Sequence, residues 1–104
     1  MSHDYYVYIL ASRKNGTLYT GVTSNLENRV LQHKTHAFNH SFTARYGVGM
    51  LVYYEHTTSI ESAIAREKQI KQWRRQWKIN QINSINPEWR DLSDYFMDSE
   101  INSE

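Results

Sequence analysis

The sequence predicts a small α+β fold in which a β-hairpin and a third strand combine with three helices. The first observation is a pair of β-rich runs, residues 5–11 and 17–23, on either side of Asn15-Gly16. This dipeptide is typical of a tight type I′ hairpin turn, which needs positive φ angles, although a longer loop also fits the spacing. The second observation is a later β-rich run, residues 50–55, followed by helical periodicity.

The first helix follows the hairpin directly. Helical spacing of apolar residues predicts a helix over residues 26–34, with Ser24 or Asn25 as its N-cap. Residues 35–49 are rich in His, Asn, Ser, Thr and Gly, which predicts a long loop. A helical turn is expected within this loop around residues 41–46.

Two further helices are expected after the third strand. Thr58 and Glu61 form a capping-box pattern, which predicts that a helix begins there and runs to about residue 73. A shorter helix is predicted over residues 75–85. Pro87 stops regular structure after it, because proline lacks a backbone N–H group.

Length and composition favour one small cytoplasmic domain. A chain of 104 residues can bury a single modest core. It contains no cysteine, which excludes disulfides and a cysteine nucleophile and favours a reducing compartment. Its apolar runs are too short for a membrane span, and its first residues lack the pattern of a secretion signal.

The formal net charge of +1 hides an uneven distribution of charge. Residues 1–85 contain eleven basic and five acidic residues, a net charge of +6, whereas residues 86–104 contain one and six, a net charge of −5. We therefore expect a basic domain over residues 4–85 and a flexible acidic tail over residues 86–104.

Half of the basic residues lie close together in the two last helices. They surround Trp73 and Trp77 and would suit a phosphate-rich partner. A solvated helix face, with both tryptophans in the core, explains the same pattern. These residues are Arg66, Lys68, Lys71, Arg74, Arg75 and Lys78.

One carboxylate of the second helix is predicted to point inward. Glu67 falls within the apolar stripe of this helix, so burying it needs an ion pair, a hydrogen bond, a proton or a bound cation. A structural pair with Arg29 or a neighbouring lysine and a functional carboxylate are both consistent with the spacing. The stripe consists of Ile60, Ala63, Ile64 and Ile70.

Two short motifs flank the predicted turn, Tyr6-Val7-Tyr8 and Tyr19-Thr20-Gly21. Followed in order by Arg29, His33 and Glu67, they resemble the GIY-YIG nuclease superfamily over roughly residues 4–80. Tyr6 stands where the family has glycine, and Thr20 replaces isoleucine. Four longer strings resemble the small single-domain bacterial members: Leu18-Tyr19-Thr20-Gly21-Val22-Thr23, Leu51-Val52-Tyr53-Tyr54-Glu55, Arg66-Glu67-Lys68-Gln69-Ile70-Lys71 and Asn86-Pro87-Glu88-Trp89.

The resemblance implies a three-stranded antiparallel sheet flanked by helices and a function in nucleic-acid chemistry. The implied activity is metal-dependent endonucleolytic hydrolysis of DNA in repair or recombination, with branched or single-stranded DNA as candidate substrates. The implied cofactor is one Mg²⁺ or Mn²⁺ ion.

The resemblance also implies a role for each motif residue. Tyr8 would activate or orient water, which requires that Arg29 and the metal lower its pKa from near 10. Tyr19 and Arg29 would contact phosphate, His33 would orient water or relay a proton, and Glu67 would bind the metal. Nucleic-acid contacts are expected from Gly21, Arg45, Lys68, Lys71, Arg74 and Arg75.

Other interpretations compete with the active-site interpretation. The tyrosines fit ordinary sheet packing, and His33 fits a structural role equally well. His33, His36 and His40 have spacings seen in zinc sites, but no cysteine or carboxylate nearby completes a ligand set. A binding module of the same fold without efficient catalysis and a protein-interaction adaptor with an acidic tail are the alternative functions.

Overall fold

The computed structural model describes residues 3–35 and 45–95. Three strands form an antiparallel sheet in the order β2-β1-β3: β1 (Tyr5–Ala11), β2 (Leu18–Thr23) and β3 (Met50–Thr57). The helices are α1 (Leu26–Lys34), α2 (Ile60–Gln72) and α3 (Arg75–Ile85). The α+β class and the three-stranded antiparallel sheet flanked by helices are thus confirmed. No helix within the described ranges is long and apolar enough to cross a membrane.

The hairpin between β1 and β2 closes through the longer of the two expected loops. Ser12 N–H donates to the Thr17 carbonyl at 3.0 Å, and Gly16 N–H donates to the Arg13 carbonyl at 2.9 Å. Within the hairpin loop, residues 12–17, only Asn15 has a positive φ, 59°, so the type I′ turn is not formed. Glycine is required next to it because a Cβ atom at position 16 would lie 2.4 Å from Ser12 Oγ.

The two faces of the sheet pack against different helices. Alternation along β1 divides its side chains between the faces, as the hairpin pattern predicts. One face meets α2 and α3. The hydrophobic core between this face and the helices consists of Val7, Ile9, Ala11, Val52, Tyr53, Ala63, Ile70, Ile82 and Trp89. The other face meets α1. The hydrophobic core on this side consists of Tyr8, Leu10, Leu26, Val30, Val48 and Leu51. Tyr8 therefore belongs to the α1 face.

The starts of α1 and α2 are both capped by side chains. The Asn25 side chain accepts a hydrogen bond from Asn28 N–H at 3.0 Å, which selects Asn25 of the two predicted caps. Ser59, not Thr58, caps α2, since its hydroxyl accepts from Ser62 N–H at 3.2 Å. The capping box predicted from Thr58 is therefore wrong by one position.

The apolar stripe predicted for α2 is too wide. Ala63 and Ile70 are fully buried, but Ile60 is 47% exposed and Ile64 is 42% exposed. The sheet receives a single row of side chains from this helix, and that row also contains Glu67, at i+4 from Ala63 and i−3 from Ile70. The prediction that Glu67 turns towards the sheet is thus supported, while Ile60 and Ile64 lie on the neighbouring face.

The long loop predicted over residues 35–49 is described only at its ends. Thr35 closes α1, with its N–H donating to the Leu31 carbonyl at 2.9 Å. The helical turn expected around residues 41–46 lies mostly outside the described residues, as do His36 and His40.

Residues 86–95 pack across the domain and are called the C-terminal strap below. Asn86 is buried, and its side-chain amide donates to the Val52 carbonyl at 3.0 Å. Trp89 is 3% exposed, and its indole N–H donates to Asn83 Oδ1 at 2.7 Å. This part of the expected acidic tail thus belongs to the folded domain, and residues 96–104 lie outside the described residues.

One buried hydroxyl in β2 gives a test of the packing. Thr20 is 5% exposed, and its Oγ1 has no hydrogen-bond partner among the described residues. Thr20→Val removes an unsatisfied polar atom with little change of shape, so it should raise the free energy of unfolding by about 1 kcal/mol. Chemical denaturation measures this change.

Thr23→Val is the matched control on the same strand. The Thr23 hydroxyl accepts from Asn25 N–H at 3.1 Å and donates to the Asn25 carbonyl at 3.3 Å. Its loss should lower the free energy of unfolding by about 1 kcal/mol. Equal effects of the two substitutions would contradict the assignment of an unsatisfied Thr20 hydroxyl.

Candidate active site

Three aromatic rings meet between the hairpin and α1. The ring centroids of Tyr8 and Tyr19 are 6.3 Å apart, and the His33 ring lies 6.2 Å from Tyr8 and 5.5 Å from Tyr19. Tyr8 is positioned by β1, Tyr19 by the neighbouring strand β2, and His33 by the last turn of α1. The structure therefore brings together both motif tyrosines and the predicted histidine.

Gly21 makes room for the Tyr8 ring. The two residues are paired across the hairpin, on the face of the sheet that meets α1. A Cβ atom at position 21 would lie 2.5 Å from the Tyr8 hydroxyl oxygen and 2.6 Å from Cζ. The absence of a side chain is what allows the tyrosine to lie across β2, so the role of Gly21 is to shape the site.

The Tyr8 hydroxyl is held in its neutral form. Burial raises the pKa of Tyr8 to about 12, with a further contribution from Tyr19, and the charge of Arg29 lowers it less than these raise it. Arg29 does lie within hydrogen-bonding reach of Tyr8, as expected. Arg29 alone does not bring the pKa of Tyr8 below its ordinary value, because the ring is completely buried. The prediction that Arg29 and a bound metal together lower this pKa stays a prediction.

His33 is also held neutral. Burial and then the charge of Arg29 lower the pKa of its imidazole below the ordinary value. Its Nε2 lies 3.4 Å from the Tyr8 hydroxyl. In the tautomer that carries its proton on Nδ1, His33 Nε2 accepts a hydrogen bond from the Tyr8 hydroxyl. The geometry thus pairs a neutral phenol with a neutral imidazole acceptor.

Glu67 lies on α2, which packs on the other face of the sheet. Its charge makes the last of the contributions to the pKa of Tyr8, and it raises that pKa. Its side chain is 17% exposed and pairs with Lys71 one turn later, at 3.1 Å. Such a pair on a helix stabilises by only about 0.3–0.5 kcal/mol. Lys71 therefore does not lock the carboxylate against a more strongly bound cation.

The donor set suits a hard divalent cation with open coordination positions. Within residues 3–35 and 45–95, no three His, Cys, Asp or Glu side chains come together as a metal cage. Mg²⁺ commonly uses only one or two carboxylates and completes its shell with water and substrate phosphate. The largely buried Glu67 carboxylate, with one lysine as its partner, fits that pattern, whereas it does not fit a four-ligand zinc site.

The site has an enclosed and an accessible side. Tyr8 is 0% exposed and His33 is 5% exposed, while Tyr19, Arg29 and Glu67 are each partly exposed. A ligand that arrives from solvent meets the second group first. The Tyr8–His33 pair therefore lies behind the groups that are able to contact phosphate.

The basic residues predicted for nucleic-acid contact occupy several places. Lys68 and Arg74 are exposed. Arg45 is also exposed, with its guanidinium 5.8 Å from the Tyr46 ring, outside the tyrosine cluster. Arg75 donates to the carbonyls of the hairpin loop, so it has a structural role as well.

Arg66 is held in an ion pair, unlike the exposed basic residues Lys68 and Arg74. It forms a two-pronged pair with Glu55 of β3, at 2.8 Å and 2.9 Å, and stacks over Trp73 at 5.0 Å. Tyr53 donates to the same carboxylate. Trp73 packs against the core, as the interpretation of a solvated helix face predicted. Trp77 is 54% exposed, which fits the interpretation of a surface that contacts a partner.

The strap contributes a contact that the sequence pattern did not reveal. Asp91 forms an ion pair with Lys34, the residue that follows His33, and accepts from Leu51 N–H at 3.2 Å. Leu51 adjoins the register shift where β3 pairs with β1. Asp91 thus joins the end of α1 to the sheet and supports the position of His33. The Asn86-Pro87-Glu88-Trp89 string was the available sign that this segment matters.

Comparison with known proteins agrees with this geometry. A sequence model of the GIY-YIG catalytic domain matches residues 4–80, which include every element from β1 to the start of α3. The chain therefore belongs to the GIY-YIG family, a family of nucleases.

Within this family the chain is similar to the UPF0213 proteins, as the longer strings indicated. It is 37% identical to a UPF0213 protein of Syntrophus aciditrophicus over 83 residues, 80% of this chain and 93% of that protein. It is 39% identical to one of Clostridium perfringens, over 76% of this chain and 83% of that protein. The solution structure of a UPF0213 protein of Bacillus halodurans matches with a TM-score of 0.53 and 26% identity, covering 88% of this chain and 95% of that one.

Gly21→Ala tests the close approach of Tyr8. The added methyl group must displace the tyrosine ring, so the free energy of unfolding should fall by about 1–3 kcal/mol, the usual cost of overpacking. Gly49→Ala is the control, since its Cβ atom would meet Lys34 Cγ at an ordinary 3.8 Å. Thermal unfolding of both variants is the measurement, and an unchanged melting temperature for Gly21→Ala would contradict the described packing.

Proposed function

We propose that this chain is an endonuclease that hydrolyses phosphodiester bonds of DNA with one divalent cation, Mg²⁺ or Mn²⁺, at Glu67. The observation that carries the proposal is the convergence of Tyr8, Tyr19, Arg29 and His33 on one face of the sheet, with Glu67 within electrostatic reach of Tyr8. Membership of a nuclease family supports the same reaction class.

Substrate binding is assigned to the accessible side of the site. Arg29 remains cationic at all relevant pH values, and its planar fork matches two phosphate oxygens. Tyr19 offers a hydroxyl beside it. When bound, the cation neutralises charge on the phosphate and stabilises the leaving oxygen.

Proton transfer is assigned to the enclosed side. As the water oxygen bonds to phosphorus, the bond from phosphorus to the leaving oxygen breaks. The water proton passes to the Tyr8 oxygen while the Tyr8 proton passes to His33 Nε2, and the leaving oxygen takes a proton from solvent. Tyr8 remains neutral through this exchange, which agrees with its raised pKa. His33 receives the proton because its imidazole starts neutral.

Substrate shape is the proposed basis of selectivity. One domain of this size has little surface for reading a long base sequence. Branched or single-stranded DNA of the kind met in repair or recombination presents its phosphates at a small site without such reading. Duplex DNA is the contrasting substrate.

A nucleic-acid-binding module with little catalysis is the second candidate. The observation in its favour is the complete burial of Tyr8 together with the Glu67–Lys71 pair. It predicts binding that weakens as salt is raised, without turnover.

A cleavage panel separates the two candidates. Single-stranded, duplex and branched DNAs are incubated with Mg²⁺, Mn²⁺ or EDTA and analysed on denaturing gels. The endonuclease should cut only with metal, and Tyr8→Phe, Arg29→Ala and Glu67→Gln should each lose at least about a hundredfold in rate.

The matched controls are Tyr54→Phe, an exposed tyrosine paired with Tyr8, and Glu61→Gln, an exposed carboxylate of α2. Both should cut at the wild-type rate. Cutting that persists in EDTA and in all three site variants would overturn the proposal, and salt-sensitive binding without cutting would favour the binding module.

A further inference from the structure

One cation in the basic stretch differs from its neighbours. Lys78 on α3 is half-buried, whereas Lys68 and Arg74 are exposed. A half-buried ammonium group loses part of its hydration, so it normally has a carboxylate or another anion close by. Its surroundings therefore bear on what binds there.

The groups around Lys78 are cations. Arg75 lies three residues earlier on α3, and such positions are neighbours on a helix. Burial and then the charges of Lys71 and Arg75 lower the pKa of Lys78, which agrees with this crowding. Arg75 and Lys78 thus lie in the first turns of α3, and Lys71 lies in the last turn of α2, just before α3 begins.

The described residues compensate this charge only in part. Lys71 pairs with Glu67, and Arg75 donates to the neutral carbonyls of Asn15 and Gly16, each at 2.6 Å. Within residues 3–35 and 45–95, no carboxylate pairs with Lys78. If Glu67 takes a divalent cation as proposed, Lys71 loses its partner too. Lys78 is therefore a half-buried cation without a carboxylate partner among the described residues.

We infer that Lys71, Arg75 and Lys78 form a second phosphate subsite, which holds a backbone phosphate of the substrate strand away from the scissile bond. The identity of the ligand rests on the proposed function, while the anion site itself does not. A phosphodiester fits because it is a compact anion with several acceptor oxygens for ammonium and guanidinium groups.

The placement gives the substrate strand a direction along the sheet. Arg75 fastens the cluster to the hairpin loop at one end of β2, an edge strand, and Gly21 lies near the other end of β2. The residues from Leu18 to Gly21 span roughly 10 Å at about 3.3 Å per residue. The Arg75 contact and the Tyr8–Gly21 pair therefore lie at different ends of β2.

The test measures binding separately from cleavage. A fluorescent single-stranded oligonucleotide is titrated with the 104-residue protein in EDTA at several salt concentrations, and anisotropy is recorded. Lys78→Gln should weaken binding about tenfold and reduce the slope of log affinity against log salt by about 1, because one phosphate contact is lost.

Two variants control this measurement. Arg90→Gln removes the same charge from an exposed residue that pairs with Glu88, and it should leave affinity and slope within about twofold of wild type. Lys78→Arg keeps the charge and should restore most of the affinity. Wild-type affinity and slope in Lys78→Gln would overturn the subsite, as would the same loss in Arg90→Gln.

Inorganic phosphate distinguishes a strand site from a site for the free ion. Phosphate should displace the oligonucleotide only weakly, because it lacks the contacts of the remaining strand. Saturation by phosphate at concentrations as low as those of the oligonucleotide would overturn the assignment to a strand.

The subsite and the endonuclease fail in different ways. If the protein cuts DNA in a metal-dependent way and Lys78→Gln binds DNA as tightly as wild type, the subsite is rejected and the endonuclease proposal stands. If the wild type does not cut DNA and Lys78→Gln binds DNA more weakly than wild type, the endonuclease proposal is rejected and the subsite stands.

Discussion

The close approach of Tyr8 to Gly21 is the constraint on which the rest of the site depends. Because β2 has no side chain at this position, the tyrosine ring lies across the strand and its hydroxyl comes within reach of His33 and Arg29. Any Cβ atom would occupy the place of the hydroxyl. The hairpin register is therefore part of the chemistry as well as of the fold, since a shift by one residue would turn Tyr8 to the other face.

Burial then determines the protonation state of Tyr8 and His33. Tyr8 and His33 are both neutral, and the charged groups, Arg29 and Glu67, stand on their solvent side. This separation suits a site where phosphate and metal arrive from outside and protons move inside. The strap supports the arrangement through Asp91, which ties the end of α1 to the sheet. It is accordingly part of the working domain although its sequence looks like an acidic tail.

Local pattern was sufficient for most of the fold. Strand alternation and helical spacing predicted the three strands and three helices of the described residues, because each is determined by residues near in sequence. The hairpin register makes Tyr8 and Gly21 neighbours. Ser59 replaced Thr58 as the cap because the choice depends on where the chain leaves β3. The sequence alone does not predict the raised pKa of Tyr8, because it depends on how the ring packs against α1. The Glu55–Arg66 pair and the Asp91 contacts join distant segments, which local pattern does not show.

If the tyrosine cluster and Glu67 form one metal-assisted site, Mn²⁺ must bind next to both. Titration of the isotope-labelled protein with Mn²⁺, followed by paramagnetic broadening in NMR spectra, measures where the ion binds. We expect broadening centred on Glu67 that extends to Tyr8, Tyr19 and His33, and its loss in Glu67→Gln but not in Glu61→Gln. Broadening centred elsewhere, or broadening around the tyrosines that persists in Glu67→Gln, would contradict it.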